Sequence, residues 1–240
     1  MLNQHINHKM KKNGSLLFAV IILLIVPVIR TNAQKKLTEG KAVFDISYPG
    51  ADLDDKMLAM MPTESTILFK GDMSHSEIKM PMGNTFSITD GKKGETITFM
   101  SMMGNKMAIK LTREDQEKQL SKMNEKQKPK VKLSDETKMI AGYSCKKATV
   151  TMEDKDGKET TFDLWYTKEI TAPNSLKSGS YMNSIDGFLM EFQSNMNSLS
   201  MKMTCRSVEK AEVPDSLFSF PSGYTLTTME ELKNSMGGAH

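Results

Sequence analysis

The chain has 240 residues, of which 32 are basic and 29 are acidic. The first 33 residues hold four of the basic residues and none of the acidic ones. The remaining 207 residues therefore carry 28 basic against 29 acidic side chains, a net charge of −1. A nearly neutral chain lacks the basic surface with which proteins bind nucleic acid, which excludes that class of partner. The length fits one domain with a sizeable core.

Residues 1–33 have the composition of a secretory signal peptide. A head with three lysines precedes an almost purely apolar stretch at 16–28, and Ala33 ends a small-residue cleavage site before Gln34. The apolar stretch is short for a retained membrane span, although an uncleaved N-terminal anchor is the alternative. No Cys follows the stretch to accept a lipid of the bacterial lipoprotein type. We expect a periplasmic or secreted protein that is not an integral membrane protein after cleavage.

The mature chain is predicted to be a single β-rich domain, residues 34–240. Short runs alternate apolar and polar residues and are separated by Gly, Pro, Asn or Asp, a pattern typical of an antiparallel meander. The predicted strands are residues 42–48, 63–70, 73–80, 85–90, 95–101, 106–111, 187–193 and 199–209, together with a central hairpin within 137–170.

Each strand of the central hairpin shows strict alternation. Val150 lies between polar neighbours in the first strand, and Leu164 lies between Asp163 and Trp165 in the second. This pattern predicts a half-buried strand pair with one face toward a core or cavity. The dipeptide Asp156-Gly157 predicts a two-residue turn between the strands.

Three short helices are predicted beside the sheet. Asp54 caps a helix that carries Met57, Leu58 and Met61 on one side. A capping box at Thr112 opens a polar connector helix at about 113–128, which divides the sheet into two halves. A last amphipathic helix spans 228–236.

Catalytic motifs are scarce. After the signal peptide the only histidines are His75 and His240, and the sequence has no nucleophile elbow and no phosphate-binding glycine loop. Cys145, beside Lys146 and Lys147, is the one candidate for a thiol with a lowered pKa. We expect a protein that is not an enzyme and needs no cofactor.

The two cysteines, Cys145 and Cys205, allow two interpretations. In an exported protein they are able to pair, and the long loop that they close would stabilise the fold by about 4 kcal/mol. However, alternation places Cys145 on the same strand face as Thr149, which is expected to face solvent. It places Cys205 on the same apolar face as Met203. A β-bulge would reconcile the two, so a disulfide and two free thiols both stay open.

Methionine is unusually frequent, with 22 in the chain and 20 after the signal peptide. Thioethers bind Cu(I), so Met73, His75, Met80 and Met82 are one candidate metal site, although no metal is expected. Methionine also lines surfaces that accept variable apolar ligands. On this second interpretation the candidate ligand-binding residues, as cavity wall or lid, are Met57, Leu58, Met61, Phe99, Met107, Ile109, Val150, Leu164, Met201 and Met203.

Four segments together resemble a family of exported bacterial proteins described as a domain of unknown function and grouped with the LolA-like superfamily. The segments are ETKMIAGYSCKKATVT, LWYTKEI, GFLMEF and VPDSLFSFPSGYTLTTMEEL. The resemblance spans about residues 41–232. A sister family carries a Gly-Leu-Pro-Gly-Leu-Ile motif, and residues 186–190 stand roughly there without the proline.

The resemblance implies a mainly β fold in which a curved antiparallel sheet forms a half-barrel, with a few short helices over its concave face. In the best-known members that cavity carries lipoprotein acyl chains. We therefore expect a non-catalytic periplasmic binding protein for a lipid or acyl chain, with no family residue to assign as a contact. The alternatives are a methionine-rich copper-binding protein and a cell-envelope interaction module without a small ligand.

The signal peptide generates a direct prediction. Protein purified from the host that exports it should have the mass of a chain that begins at Gln34, because cleavage follows Ala33. Intact-mass analysis measures this. A purified chain that still begins at Met1 would support the uncleaved anchor instead.

Overall fold

The computed structural model describes residues 36–81, 83–102, 105–122, 128–153, 157–171, 185–196, 199–228 and 231. All of them belong to one compact unit of the chain, residues 34–240. The predicted signal peptide lies outside the described residues. So does nearly all of the predicted last helix, although Thr228 and Glu231 exchange the two hydrogen bonds of a capping box there.

A single open, curved sheet dominates the fold, which confirms the mainly β prediction. The strands are β1 Glu39–Ser47, β2 Glu64–Lys70, β3 Met73–Met80, β4 Gly83–Asp90, β5 Glu95–Met102, β6 Asn105–Leu111, β7 Lys130–Ile140, β8 Tyr143–Glu153, β9 Glu159–Thr167, β10 Phe188–Met196, β11 Leu199–Glu209 and β12 Thr225–Thr228. Their order in the sheet is β12-β6-β5-β4-β3-β2-β1-β11-β10-β9-β8-β7. The pairings are antiparallel except that β12 pairs parallel with β6, which the sequence analysis did not predict.

The sheet consists of two meanders joined by their outer strands. The strands β1–β6 form the first meander and β7–β11 the second, and the antiparallel pairing of β1 with β11 joins them. Consequently β6 and β7 lie far apart in the strand order although they are close in sequence. The predicted connector helix lies between β6 and β7 along the chain.

The two described α-helices begin where the capping residues predict. Helix α1, Asp55–Met60, follows Asp54, whose carboxylate accepts a hydrogen bond from the Met57 N–H at 2.7 Å. Helix α2, Arg113–Ser121, follows Thr112, whose hydroxyl accepts from the Asp115 N–H while the Asp115 carboxylate accepts from the Thr112 N–H. Helix α2 ends earlier than the predicted residue 128, because few of its residues are apolar and little packing extends it.

The middle of the concave face is filled by phenylalanine rings from distant strands. Phe69 of β2 lies 5.9 Å from Phe188 of β10, and Phe44 of β1 lies 6.1 Å from Phe188 and 6.2 Å from Phe192, between ring centroids. β2 and β10 are separated by two strands, so in a flat sheet they would stand about 14 Å apart. Rings this close show that the sheet bends strongly toward this face.

The loop between β8 and β9 differs from the predicted two-residue turn. The last pair of the β8–β9 hairpin is Glu153 with Glu159, which leaves five residues in the loop rather than the two expected at Asp156-Gly157. A two-residue turn is found instead at Ala141-Gly142, between the paired residues Ile140 and Tyr143. Both turn residues have positive φ, as a two-residue hairpin requires, although Ala adopts this conformation reluctantly.

Replacing Phe188 with Ala should lower the free energy of unfolding by about 3–5 kcal/mol, because the change leaves a cavity among the converging rings. Denaturant unfolding measures the loss. The matched control is Leu133→Ala on β7, where the side chain is 57% exposed. Equal losses in the two variants would contradict the proposed importance of the ring cluster.

Candidate ligand-binding face

The concave side of β3–β6 is a second part of the inner surface, beside the phenylalanine cluster. Phe69 pairs with Ser74, Ser74 with Thr89, Thr89 with Thr96, and Thr96 with Leu111, so these positions share one face of the sheet. Alternate residues along each strand share it too. The described side chains on this inner face are Ser74, Ser76, Ile78, Met80, Thr85, Ser87, Thr89, Thr96, Thr98, Met100, Asn105, Met107, Ile109 and Leu111, and all of them are uncharged.

Four apolar side chains on the inner face, Met100, Met107, Ile109 and Leu111, form what we call the apolar strip. Met100 pairs directly with Met107 across β5 and β6. All four are half-buried, and none packs against either of the two core clusters. The apolar strip is therefore apolar surface that the described core does not use.

Six hydroxyl side chains, which we call the hydroxyl patch, adjoin the apolar strip: Ser74, Ser76, Ser87, Thr89, Thr96 and Thr98. Ser87 and Thr98 share a hydrogen bond of 2.9 Å, and Thr89 and Thr96 share one of 3.1 Å. Ser74 is completely buried, and its hydroxyl has no hydrogen-bond partner among the described residues. A buried hydroxyl without a partner costs about 1–3 kcal/mol, so Ser74 is a polar group that the fold leaves unsatisfied.

The outer face of the same strands is covered by the chain that follows β11. Phe99 stacks on Phe86 at 4.6 Å and contacts Phe220 and Tyr224, each at 5.1 Å. Phe99 is fully buried there. It belongs to an outer aromatic cluster and not to the wall of an inner cavity as predicted, because its alternation is opposite to that of Met100.

The other predicted wall residues fall into two groups. Val150, Leu164 and Met203 are buried in the main core, and Met201 packs against it. Met107 lies in the apolar strip together with Ile109. Of the ten predicted ligand-binding residues, the structure thus places these last two on an inner surface outside the core.

The predicted lid does not cover the sheet in this structure. Met57 is 52% exposed and Leu58 is 41% exposed, and helix α1 buries none of its residues. Met61, which follows the helix, is half-buried. The helix itself forms as predicted, but its apolar side faces solvent.

The candidate copper ligands do not converge. Met73 and His75 lie on the outer face, where Met73 packs in the aromatic cluster and the His75 Nδ1 lies 3.0 Å from the Leu217 carbonyl oxygen. The His75 ring also stacks on Phe86 at 5.1 Å. Met80 lies on the inner face, since its alternation is opposite, and Met82 lies outside the described residues.

Both cysteines are free and buried in the main core. Burial raises the pKa of the Cys145 thiol to about 11 and the pKa of Cys205 to about 12. Cys145 therefore does not have the lowered pKa for which it was the candidate. The lysine ammonium groups instead reach carboxylates, since Lys146 pairs with Asp135 and Lys147 with Asp163.

The solvent-facing position expected for Cys145 is also wrong. The pairing of β7 with β8 shifts between Leu133 and Thr137, so β7 carries extra residues opposite this part of β8. These extra residues lie on β7, whereas β8 keeps an unbroken register with β9 from Lys146 onward, so the bulge does not explain the position of Cys145. Cys145 and Ala148 are both fully buried, although simple alternation would place them on opposite faces.

The fold and its inner face define a β-rich domain with an open curved sheet, whose described inner-face side chains on β3–β6 are uncharged. A family model described as "Domain of unknown function (DUF4412)" matches residues 56–224, and the chain belongs to this family. A search of curated proteins finds no match. Within the part of the chain that the structure describes, no helix is both long and apolar enough to cross a membrane.

The raised thiol pKa values give a prediction of pH dependence. Unfolded thiols ionise near pH 8.5, whereas the folded thiols stay protonated until about pH 11. The unfolded state therefore loses protons first, and the stability should fall as the pH rises above about 8.5.

Denaturant unfolding at neutral and alkaline pH measures this fall. A Cys145→Ala, Cys205→Ala double variant should show a smaller decrease over the same interval. An identical decrease in the double variant would contradict the assignment to the thiols.

Proposed function

We propose that this protein is a non-catalytic binding protein that holds an apolar ligand, such as a lipid or an acyl chain, against the inner face of β3–β6. The observation that carries the proposal is the apolar strip, because Met100, Met107, Ile109 and Leu111 lie on the concave face outside both core clusters. Fully burying one such side chain contributes about 1.5–3 kcal/mol. A ligand that covers the strip would gain binding energy that the described fold leaves unused.

The phenylalanine cluster restricts where the ligand binds. Phe44, Phe69, Phe188 and Phe192 fill the middle of the concave face. A filled interior is what an interaction module without a small ligand would show, and it removes the central cavity that we expected. The apolar strip favours a ligand nonetheless, and the proposed binding site is therefore on the β3–β6 side of the sheet.

Three further features belong to the proposal. The resemblance to the LolA-like superfamily supports a carrier of acyl chains, although fold similarity alone is weak support for function. The N-terminal segment supports export to the periplasm or the medium. A non-catalytic role is supported by the raised pKa of Cys145 and by the engagement of His75 with Leu217.

Ligand uptake tests the proposed function. Native mass spectrometry of the protein incubated with palmitoylglycerol or a long-chain detergent should show bound ligand. An Ile109→Lys variant should lose most of the uptake, because a charge on the apolar strip would have to be desolvated under the ligand. Leu133→Lys, at an exposed position on β7, is the matched control and should bind like the unaltered protein.

Thermal unfolding of both variants establishes that they are folded. Met107→Gln is a milder second variant and should weaken uptake while keeping a similar side-chain volume. A protein that takes up none of these apolar probes, or an Ile109→Lys variant that is folded and binds them unchanged, would refute the proposal.

A further inference from the structure

We infer that the ligand is a neutral amphiphile, a hydrocarbon chain that ends in a hydroxyl, ester or amide group, and this inference rests on the proposed function. Its chain would cover the apolar strip, and its polar end would meet the hydroxyl patch. Three observations carry the inference: the absence of charge on the described inner face, the unsatisfied hydroxyl of Ser74, and the direct contact between patch and strip.

The two faces of β3–β6 differ in charge. Every charged residue of these strands stands at an outward position, as Glu77, Asp90 and Lys106 illustrate. The outward charges also pair with each other, and the Lys110 ammonium lies 2.7 Å from the Glu95 carboxylate. A carboxylate or phosphate on the inner face would therefore meet no described cation, and an unpaired charge is costly to desolvate.

The hydroxyl patch suits a neutral polar group. A serine or threonine hydroxyl donates one hydrogen bond and accepts others, so it pairs equally well with the hydroxyl of an alcohol, the carbonyl of an ester or the N–H of an amide. Most of the patch is satisfied internally, through the pairs Ser87–Thr98 and Thr89–Thr96. Ser74 is the buried member that lacks a partner in the described structure.

The patch and the strip are close enough for one molecule to span both. Thr98 pairs directly with Ile109, and Thr96 pairs directly with Leu111, on adjacent strands. Neighbouring strands lie about 4.8 Å apart. A ligand whose chain covers the apolar strip and then crosses the strands thus places its polar end over β3–β5, where the hydroxyls are.

A comparison of chain-matched ligands tests this inference. Palmitoylglycerol, palmitate and cetyl phosphate carry the same hydrocarbon length and differ in charge. Titration calorimetry at neutral pH should give palmitoylglycerol at least about tenfold tighter binding than either anion, which corresponds to about 1.4 kcal/mol. If palmitate or cetyl phosphate binds as tightly, the inference is wrong although the proposed function stands. If none of the three binds, the proposed function itself fails.

Neutral amphiphiles come from two sources, a free lipid and a lipid-modified polypeptide. An N-palmitoyl peptide amide without charged residues serves as the second neutral probe beside palmitoylglycerol. Tighter binding of either probe than of the anions supports the neutral class, and the tighter of the two identifies the source.

Ser74→Ala tests the role of the unsatisfied hydroxyl. This variant should keep or increase the stability of the free protein, because it removes a buried group without a partner. It should weaken palmitoylglycerol binding about threefold to tenfold and leave hexadecane binding unchanged. Ser74 is completely buried in the free protein, so its hydrogen bond is available only to a polar end that inserts beside it.

Ser65→Ala is the matched control on the same face. Its hydroxyl donates to the Glu77 carbonyl oxygen at 3.2 Å, so the variant should lose stability without a selective loss of the polar ligand. A Ser74→Ala variant that binds palmitoylglycerol and hexadecane in the same ratio as the unaltered protein would overturn the assignment of the ligand's polar end to this site.

Discussion

The convergence of phenylalanine rings on the concave face is the constraint on which the rest of the structure depends. Phe188 on β10 contacts both Phe44 and Phe69, and these contacts require the sheet to bend across the β1–β11 pairing. The bend leaves little room at the junction. A Cβ on Gly40 would come within 3.2 Å of the Phe69 ring and would press against the Glu209 backbone, so only glycine fits there. The curvature in turn gives the sheet an inner and an outer face.

The two faces of the first meander differ in what covers them. The segment that follows β11 is held to the outer face, where the Lys70 ammonium lies 2.7 Å from the Asp215 carboxylate and Glu39 accepts a hydrogen bond from the Val213 N–H at 2.9 Å. This segment covers Phe99 with aromatic rings. The covering chain packs on the outer face. The described apolar side chains of β5 and β6 that lie on the inner face, the apolar strip, are outside both core clusters.

Strand positions were largely predictable from local pattern. β3 was predicted at 73–80 and found there, because Gly71-Asp72 precedes it and the alternation leaves little choice of register. The cap of helix α1 at Asp54 was predictable for a similar reason, since one side chain satisfies the helix N-terminus. The alternation also indicates which residues share a face, but it is symmetrical and does not say which face is concave. For that reason local pattern alone allows Phe99 and Met107 to share one cavity wall, although the two side chains point in opposite directions.

The sequence by itself determined the β-rich class, most strand limits, the helix caps and the uncharged character of one face of β3–β6. These properties follow from interactions within a few residues. The tertiary structure decided the pairing of β1 with β11, the burial of Cys145, the parallel addition of β12 and the choice of the inner face. Each of these depends on contacts between strands distant in sequence, whose packing energies no local pattern contains. The candidate site depends on both sequence and tertiary structure. The sequence makes the strip apolar, and the curvature of the sheet places it on the concave side.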